Sequence, residues 1–195
     1  MECGILRFLH NSGMNMQAKI AERDDFIVNV PFNSRNKRIA RVHYIDDKSK
    51  VRLVIKGASE IVMNQCSHEV GPNDAVIDFD SEKAMTAVET FAKDGMRTVG
   101  VAFRDFDVAD WEQLAADCNN FEDGEEQGKL VSMEGLTFMG VLGLKAPVKE
   151  GVKASIEGLK HQCGTTVRLI TGDNIVSAKS IAIETGILST ENADD

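Results

Sequence analysis

A polar turn between two strand-like runs constrains the fold more than any other feature of this sequence. The runs span residues 39–45 and 51–55, and the turn at 46–50 holds two aspartates and two lysines. Apolar residues occupy every second position of the second run, as in a strand with one buried face. A further strand-like run, 26–30, stops at Pro31. The sequence therefore predicts an antiparallel hairpin preceded by another strand.

The first 140 residues or so mix short helical and strand-like segments, which predicts an α+β fold. Gly57 is predicted to end the second strand of the hairpin, because glycine breaks strand patterns. The predicted helices are 3–9, 58–66 and 81–94, followed by a strand at 98–103 and a mobile acidic loop at 117–128.

Near residue 136 the pattern changes to strand, helix, strand, helix, which is typical of a doubly wound α/β domain. The predicted strands are the nearly continuous apolar run 136–144 and a short buried strand at 166–170. One predicted helix opens at Pro147, and the other spans 174–185. Two strands leave a parallel sheet with open edges, so this segment is predicted to be part of a domain.

Charge is unevenly distributed along the chain. The chain has 195 residues, 43% of them hydrophobic, and a net charge of −9. Between Arg35 and Lys56, eight bases face only Asp46 and Asp47, a net of +6, which leaves −15 for the remainder. An acidic chain is a poor general nucleic-acid binder, so no nucleic-acid partner is expected. The basic stretch could hold a small anion or could be the solvated face of a hairpin.

Cysteine spacing and hydropathy exclude two other classes. The cysteines at 3, 66, 118 and 163 form no CxxC or Cys/His cluster, so neither a zinc site nor a disulfide framework is expected. We expect reduced, buried or half-buried thiols, as in a cytosolic protein. No apolar run reaches the roughly 18 residues that span a bilayer, and no signal-peptide pattern opens the chain, so the sequence predicts a soluble chain without membrane insertion.

Lys56-Gly57-Ala58 is one candidate for chemistry, since it joins a predicted strand to a predicted helix. Glycine permits a sharp turn, and a helix start offers free N–H groups to an anion. A lysine there suits a phosphate or the rim of a nucleotide pocket. The alternative is a plain turn with a solvated lysine.

Thr171-Gly172-Asp173-Asn174 is a second candidate, between a predicted buried strand and a helix. Ligands of open α/β sheets bind at this end of a strand. A hydroxyl, a glycine and a carboxylate suit a phosphate and its Mg²⁺. The alternative is an ordinary helix cap.

Phe32 is a third candidate, because it follows Pro31 and adjoins the basic stretch. An aromatic ring beside Lys37 could stack on a base. The alternative is a core phenylalanine.

Taken in order, five motifs resemble the cytoplasmic nucleotide-binding region of P-type ATPases, most of all the plasma-membrane-type calcium pumps. They are the helix Met1-Glu2-Cys3-Gly4-Ile5-Leu6, the loop Val30-Pro31-Phe32-Asn33-Ser34-Arg35-Asn36-Lys37, and the strings Lys56-Gly57-Ala58-Ser59-Glu60, Asp94-Gly95-Met96-Arg97-Thr98 and Thr171-Gly172-Asp173-Asn174. The resemblance implies an ATP-binding N-domain over 1–145, with its start missing. It implies a partial phosphorylation domain, haloacid-dehalogenase-like and doubly wound, over 146–195.

By this resemblance, Phe32 stacks on the adenine, and Glu2 and Lys37 lie at the edge of the base. Lys56 and Gly57 line the pocket, and Arg97 reaches the phosphates. The basic stretch would then serve the nucleotide.

In the second segment, the resemblance places Thr171, Gly172 and Asp173 near the γ-phosphate and Mg²⁺. The implied cofactors are ATP and Mg²⁺, with no tightly bound metal. The implied partners are the phosphorylation, actuator and transmembrane domains of a pump, on the cytoplasmic side of a membrane.

Departures from the family pattern limit what this chain is expected to do. The phosphorylated aspartate of DKTGT and the GDGxND motif do not occur in it, so no catalytic residue is expected and the chain alone should not turn over ATP. Ala146 replaces the acid of the hinge motif, and Ser34 stands where some relatives have arginine. A degenerate, non-catalytic interaction module is therefore the alternative function. A free-standing phosphatase is disfavoured, because Asp78-Phe79-Asp80 lacks a following glycine-rich helix start.

Overall fold

The computed structural model describes residues 2–21, 26–172 and 175–189 of the chain. In these residues the strands are β1 (Val28–Val30), β2 (Arg38–Ile45), β3 (Lys50–Ala58), β4 (Cys66–Val70), β5 (Val76–Asp78), β6 (Arg97–Asp107) and β7 (Leu136–Leu144). The helices are α1 (Glu2–Asn11), α2 (Met16–Ala21), α3 (Ser59–Met63), α4 (Ser81–Lys93), α5 (Val108–Asp117), α6 (Gly124–Val131), α7 (Val152–His161) and α8 (Ile175–Glu184).

One sheet of seven strands organises the described residues, in the order β1-β2-β3-β6-β7-β4-β5. The predicted hairpin is confirmed, since β2 and β3 pair antiparallel from Arg38 opposite Gly57 to Ile45 opposite Lys50. Strand β6 continues this antiparallel arrangement on the other side of β3. Strands β4 and β7 instead pair in parallel. The structure therefore confirms the predicted mixed fold of a sheet flanked by helices.

Alternation along β3 sets the position of the core. Val51, Leu53 and Ile55 are fully buried, as the alternating pattern predicts. They share a cluster with Trp111 of α5 and Leu130 of α6, so the two helices contribute to the core on this inner face. Trp111 also stacks at 5.6 Å on Phe121 in the turn between those helices. The opposite face of the hairpin is the outer face, and Arg52, Val54 and Lys56 lie on it because they alternate with the buried residues.

The predicted mobile loop at 117–128 is wrong, because most of this segment is helical. Asp123 caps α6 by accepting hydrogen bonds from the backbone N–H groups of Glu125 and Glu126, both at 2.9 Å. Carboxylates in the first turn also favour the helix through its dipole. Phe121 anchors the preceding turn in the core, where it is 2% exposed. An acidic composition here marks a capped helix start rather than a mobile segment.

Three other predicted boundaries differ from the structure. Residues 166–170 form no strand, and Ile170 is 95% exposed. A short segment becomes a strand only where neighbouring strands complete its backbone hydrogen bonds. The helix predicted at Pro147 begins instead at Val152, after Gly151 in the left-handed region. Gly57 does not end β3, which continues through Ala58.

The chain divides into two compact units. The first comprises Met1–Met85 and Val99–Leu142 and holds the hairpin and core described above. The second comprises Thr86–Thr98 and Gly143–Asp195. Within the second unit, Gly143 allows close packing, because a Cβ there would lie 2.9 Å from the Phe91 ring. Lys145 forms an ion pair with Glu184 at 3.5 Å. The assignment of 146–195 to a phosphorylation domain stays a prediction.

None of the helices in the described ranges has the length and hydropathy needed to cross a bilayer. The four cysteines are free thiols, and Cys66 and Cys118 are half-buried as expected. Cys3 and Cys163 are exposed instead, so the expectation of burial is wrong for them. Burial raises the pKa of the Cys66 thiol to about 12.

Cys66 should make the stability of the fold depend on alkaline pH. The unfolded chain releases the thiol proton near pH 9, whereas the folded chain holds it until about pH 12. The thiol's contribution to the free energy of unfolding is therefore complete below pH 9 and is lost as pH rises toward 12. We expect the Tm difference between wild type and Cys66→Ala to shrink between pH 8 and pH 10.5. Cys163→Ala, which removes an exposed thiol, is the control, and an equal pH trend in both variants would contradict the expectation.

Candidate functional site

The loop between β1 and β2 carries the exposed ring that the sequence analysis singled out. Phe32 is 64% exposed, which excludes the core alternative for this residue. The loop is folded on Asn33, whose Oδ1 accepts hydrogen bonds from the N–H groups of Arg35 and Asn36 at 2.8 and 3.0 Å. The Asn33 carbonyl also accepts from Lys37 N at 2.8 Å. A short asparagine side chain suits this role because it imitates a backbone turn.

Gly57 lets the loop approach the end of β3. A Cβ at this position would lie 2.5 Å from the Lys37 carbonyl oxygen and 2.5 Å from Arg38 Cγ. The Ala58 N–H donates to that same carbonyl at 3.2 Å. Lys37 itself has a φ of 51°, a left-handed conformation that is uncommon outside glycine and asparagine. The absence of a side chain at Gly57 therefore allows the end of the loop to lie directly against β3.

Lys56 lies beside this junction on the outer face of the sheet. Its cross-strand neighbours are Ile39 on β2 and Val101 on β6. The side chain is half-buried, as expected for a lysine whose stem packs along apolar neighbours. Phe32, Lys37, Lys56 and Gly57 thus lie at one end of the sheet, which we call the loop end.

The other predicted site residues are placed less completely. Glu2 is the first residue of α1, but its side chain lies outside the description. Arg97 is exposed at the start of β6 and belongs to the second unit. Thr171 and Gly172 are exposed in an irregular segment that precedes α8, and Asp173 lies outside the described residues. The roles predicted for these five residues stay predictions.

The basic stretch does not form one patch, because the hairpin brings its first and last bases together at the loop end and places the bases around the turn at the opposite end. Lys50 and Lys56 are six positions apart on β3, about 20 Å. At the Lys50 end, Arg52 forms a bidentate ion pair with Asp105, at 2.7 and 2.8 Å, and this bond raises the Arg52 pKa. Arg52 also lies 4.2 Å from the centre of the Phe103 ring. Only the bases near the loop end can therefore serve an anion there.

Sequence reasoning missed Arg38 and Gln65. In the sequence Arg38 is one of the eight bases between Arg35 and Lys56, yet in the structure its guanidinium donates to Asn36 O at 3.0 Å and to Gln65 Oε1 at 2.6 Å. One signal was available in the sequence. Arg38 occupies the inward register of β2, two positions before buried Ala40, where a charge demands partners.

Comparison with known proteins decides the family. The family described as P-type ATPase, cytoplasmic domain N, matches residues 1–151 of this chain. The chain belongs to this family. The resemblance to the N-domain of P-type ATPases that the sequence motifs indicated is thereby confirmed, as is the expectation of a domain on the cytoplasmic side of a membrane.

Relatives of this N-domain chain are calcium-transporting ATPases. It is 35% identical over 164 residues to "Calcium-transporting ATPase 2, plasma membrane-type" of Arabidopsis thaliana, covering 83% of this chain and 15% of the relative. "Calcium-transporting ATPase PAT1" of Dictyostelium discoideum is 31% identical over 96% of this chain and 15% of its own length. "Calcium-transporting ATPase 2" of Saccharomyces cerevisiae is 36% identical over 83% of this chain and 14% of its own length. The chain thus spans about one seventh of these relatives.

Substitution of Gly57 tests the close approach at the loop end. In Gly57→Ala the new methyl group would overlap the Lys37 carbonyl, so we expect the free energy of unfolding to fall by about 1 to 3 kcal/mol. Gly128→Ala is the matched control, because a Cβ at Gly128 in α6 meets nothing within 4 Å. That change should raise the stability slightly, since alanine favours helices over glycine. Urea denaturation measures both, and a Gly57→Ala protein as stable as wild type would contradict the packing argument.

Proposed function

We propose that this N-domain chain binds ATP at the loop end of its sheet. The adenine stacks on Phe32, Lys37 lies at the edge of the base, and Lys56 and Gly57 line the pocket. The observation that carries the proposal is the exposed Phe32 ring on a hydrogen-bonded loop next to Lys37 and Lys56. An aromatic ring offers a face to the base, and ammonium groups attract the phosphates.

The residues at the loop end have the chemical types that binding of a nucleotide requires. A flat, accessible ring is required for stacking, and Phe32 provides one without having to leave a core. The half-buried Lys56 stem limits the positions of its ammonium group, which reduces the entropy lost on binding. With one stacked base and polyphosphate contacts near the surface, we expect a dissociation constant of roughly tens of micromolar to millimolar.

In the whole protein, this chain would be the ATP-binding domain of a cation pump, and calcium is the cation named for its relatives. Glu2 would complete the edge of the base, and Arg97 would reach the phosphates. Thr171, Gly172 and Asp173 would lie near the γ-phosphate and Mg²⁺. A carboxylate oxygen of an aspartate outside this chain would then bond to the γ-phosphorus as the bond to the bridging oxygen breaks and ADP leaves.

A second candidate function is a non-catalytic interaction module within a pump. Ala146, in place of the acid of the family's hinge motif, and the missing DKTGT and GDGxND motifs favour it. Ser34, where some relatives have a phosphate-contacting arginine, is a further departure. Nucleotide binding separates the two functions, because only the first requires the loop end to be occupied by ATP.

Phe32→Ala should weaken ATP binding by about fivefold or more, because base stacking on one ring contributes on the order of 1–3 kcal/mol. Titration by NMR chemical shift or by calorimetry measures the change. Phe8→Ala is the matched control, since the Phe8 ring on α1 is 59% exposed against 64% for Phe32. Equal loss in both variants would reject stacking on Phe32. No saturable binding by folded wild-type protein at millimolar ATP would favour the interaction module.

Lys56→Ala should also weaken ATP, by about fivefold, through the lost attraction to phosphate. Lys50→Ala is the matched control, because it removes the same charge from the opposite end of β3. Binding should be saturable with or without Mg²⁺, since the ring and the lysines hold the base and the phosphates without a metal. If the two lysine variants lose the same affinity, the effect is one of net charge and the proposed pocket is wrong.

A further inference from the structure

Arg38 carries a charge into the inner face of the first unit. It is the first residue of β2 and shares its face with Ala40 and Val42, which are fully buried. Burial lowers the pKa of its guanidinium, although the side chain keeps some exposure. A cation placed here is costly unless hydrogen bonds replace its water.

Each of the three nitrogens of this guanidinium has an acceptor. Nε donates to Asn36 O at 3.0 Å, within the loop that carries Phe32. Nη1 donates to Gln65 Oε1 at 2.6 Å, and Nη2 is 3.4 Å from Ser132 Oγ. Asn36 belongs to the loop, whereas Gln65 and Ser132 follow α3 and α6. The planar fork therefore links the loop to the helical layer.

Gln65 is itself fixed in place. It is 7% exposed, and its Nε2 donates to Val131 O at 3.0 Å and to Met133 O at 2.7 Å. The backbone carbonyl of Gln65 accepts a hydrogen bond from Leu136 N at 3.0 Å, where β7 begins. With both amide hydrogens donated to backbone carbonyls, the Gln65 oxygen can point only toward Arg38.

This chain of hydrogen bonds ends at the loop that carries Phe32 and Lys37, the residues proposed to contact the nucleotide. Asn36, held by Arg38 Nε, directly precedes Lys37. Lys37 accepts from Ala58 N at 3.2 Å while in a left-handed conformation. Such a conformation is retained only where neighbouring contacts over-determine the backbone.

We propose that Arg38 and Gln65 are positioning residues for ATP, and this inference rests on the proposed function. They do not contact the nucleotide. Gln65 orients the Arg38 guanidinium, the guanidinium holds the Asn36 carbonyl, and this bond sets the backbone that presents Phe32 and Lys37. Loss of either residue should release the loop and weaken ATP binding through a backbone change.

The test compares Arg38→Met with Arg41→Met in the full chain, by ATP titration and by amide hydrogen exchange. Methionine keeps much of the arginine stem, and both variants remove one positive charge from the same strand. Arg41 is exposed and does not face the inner layer. We expect Arg38→Met to weaken ATP by about fivefold or more and to speed exchange at Lys37 and Ala58 by about tenfold. Arg41→Met should change both by less than about twofold.

Two further variants distinguish positioning of the loop from simple destabilisation of the fold. They are Arg38→Lys and the double variant that combines Arg38→Met with Gln65→Ala. Lysine keeps the charge but cannot span the three acceptors, so it should not rescue ATP affinity or loop exchange. Gln65→Ala should reproduce the Arg38→Met effects, and the double variant should lose less affinity than the two single losses combined, because the residues act in series. If Arg38→Met fails to fold, Arg38→Lys serves as the test variant.

The outcomes are distinguishable. If wild-type protein binds no ATP, the proposed function fails and the positioning role fails with it. If wild type binds ATP and Arg38→Met or Arg38→Lys binds it equally well, only the positioning role is overturned. Additive losses from Arg38→Met and Gln65→Ala would likewise overturn the series relation and leave the proposed function intact.

Discussion

The close approach of two backbones at Gly57 is the constraint on which the loop end depends. Without a side chain at Gly57, the Lys37 carbonyl reaches the N–H of Ala58, and β2 can start directly opposite the end of β3. That start places Arg38 on the inner face and Lys56 on the outer face of the same sheet end. The buried contacts of Arg38 and the exposed loop that carries Phe32 and Lys37 are therefore arranged around one glycine.

Two kinds of hydrogen bond hold the loop, and they differ in how far apart in sequence the bonded residues are. Asn33 organises the loop through hydrogen bonds to residues two to four positions away. Arg38 and Gln65 connect it to backbone groups that are distant in sequence. Local bonds define the shape of the turn, whereas the distant bonds define where the turn sits on the sheet. A binding loop requires both, because its side chains must be oriented as well as displayed.

Much of the fold could be predicted where the pattern was periodic. The alternation of Val51, Leu53 and Ile55 predicted a hairpin with one buried face, and the structure contains it. Residues 166–170 also alternate, with Val167 and Leu169 beside polar residues, yet they form no strand, because a short segment needs neighbouring strands to complete its hydrogen bonds. The segment 117–128 was mistaken for a loop because its acids were read as solvated charge. Asp123 shows that an acid can instead cap a helix.

Part of the candidate site could also be predicted from the sequence, since Phe32, Lys37, Lys56 and Gly57 lie together at one end of the sheet. The Arg38–Gln65 contact was not accessible, because the two residues are 27 positions apart and meet only through the packing of α3 against β3. The division of the basic residues between the two ends of the hairpin was likewise a consequence of how β2 and β3 pair. A charge count along the chain contains no information about which bases share a face.

The anchoring of the loop at Asn33 and Lys37 has an evolutionary consequence. Its hydrogen bonds involve the side chain of Asn33 and otherwise backbone atoms, and Arg38 also contacts a backbone oxygen, that of Asn36. The side chains at Ser34, Arg35 and Asn36 are therefore not needed to shape the turn. These positions can therefore be exchanged during divergence without disturbing the backbone that shapes the loop.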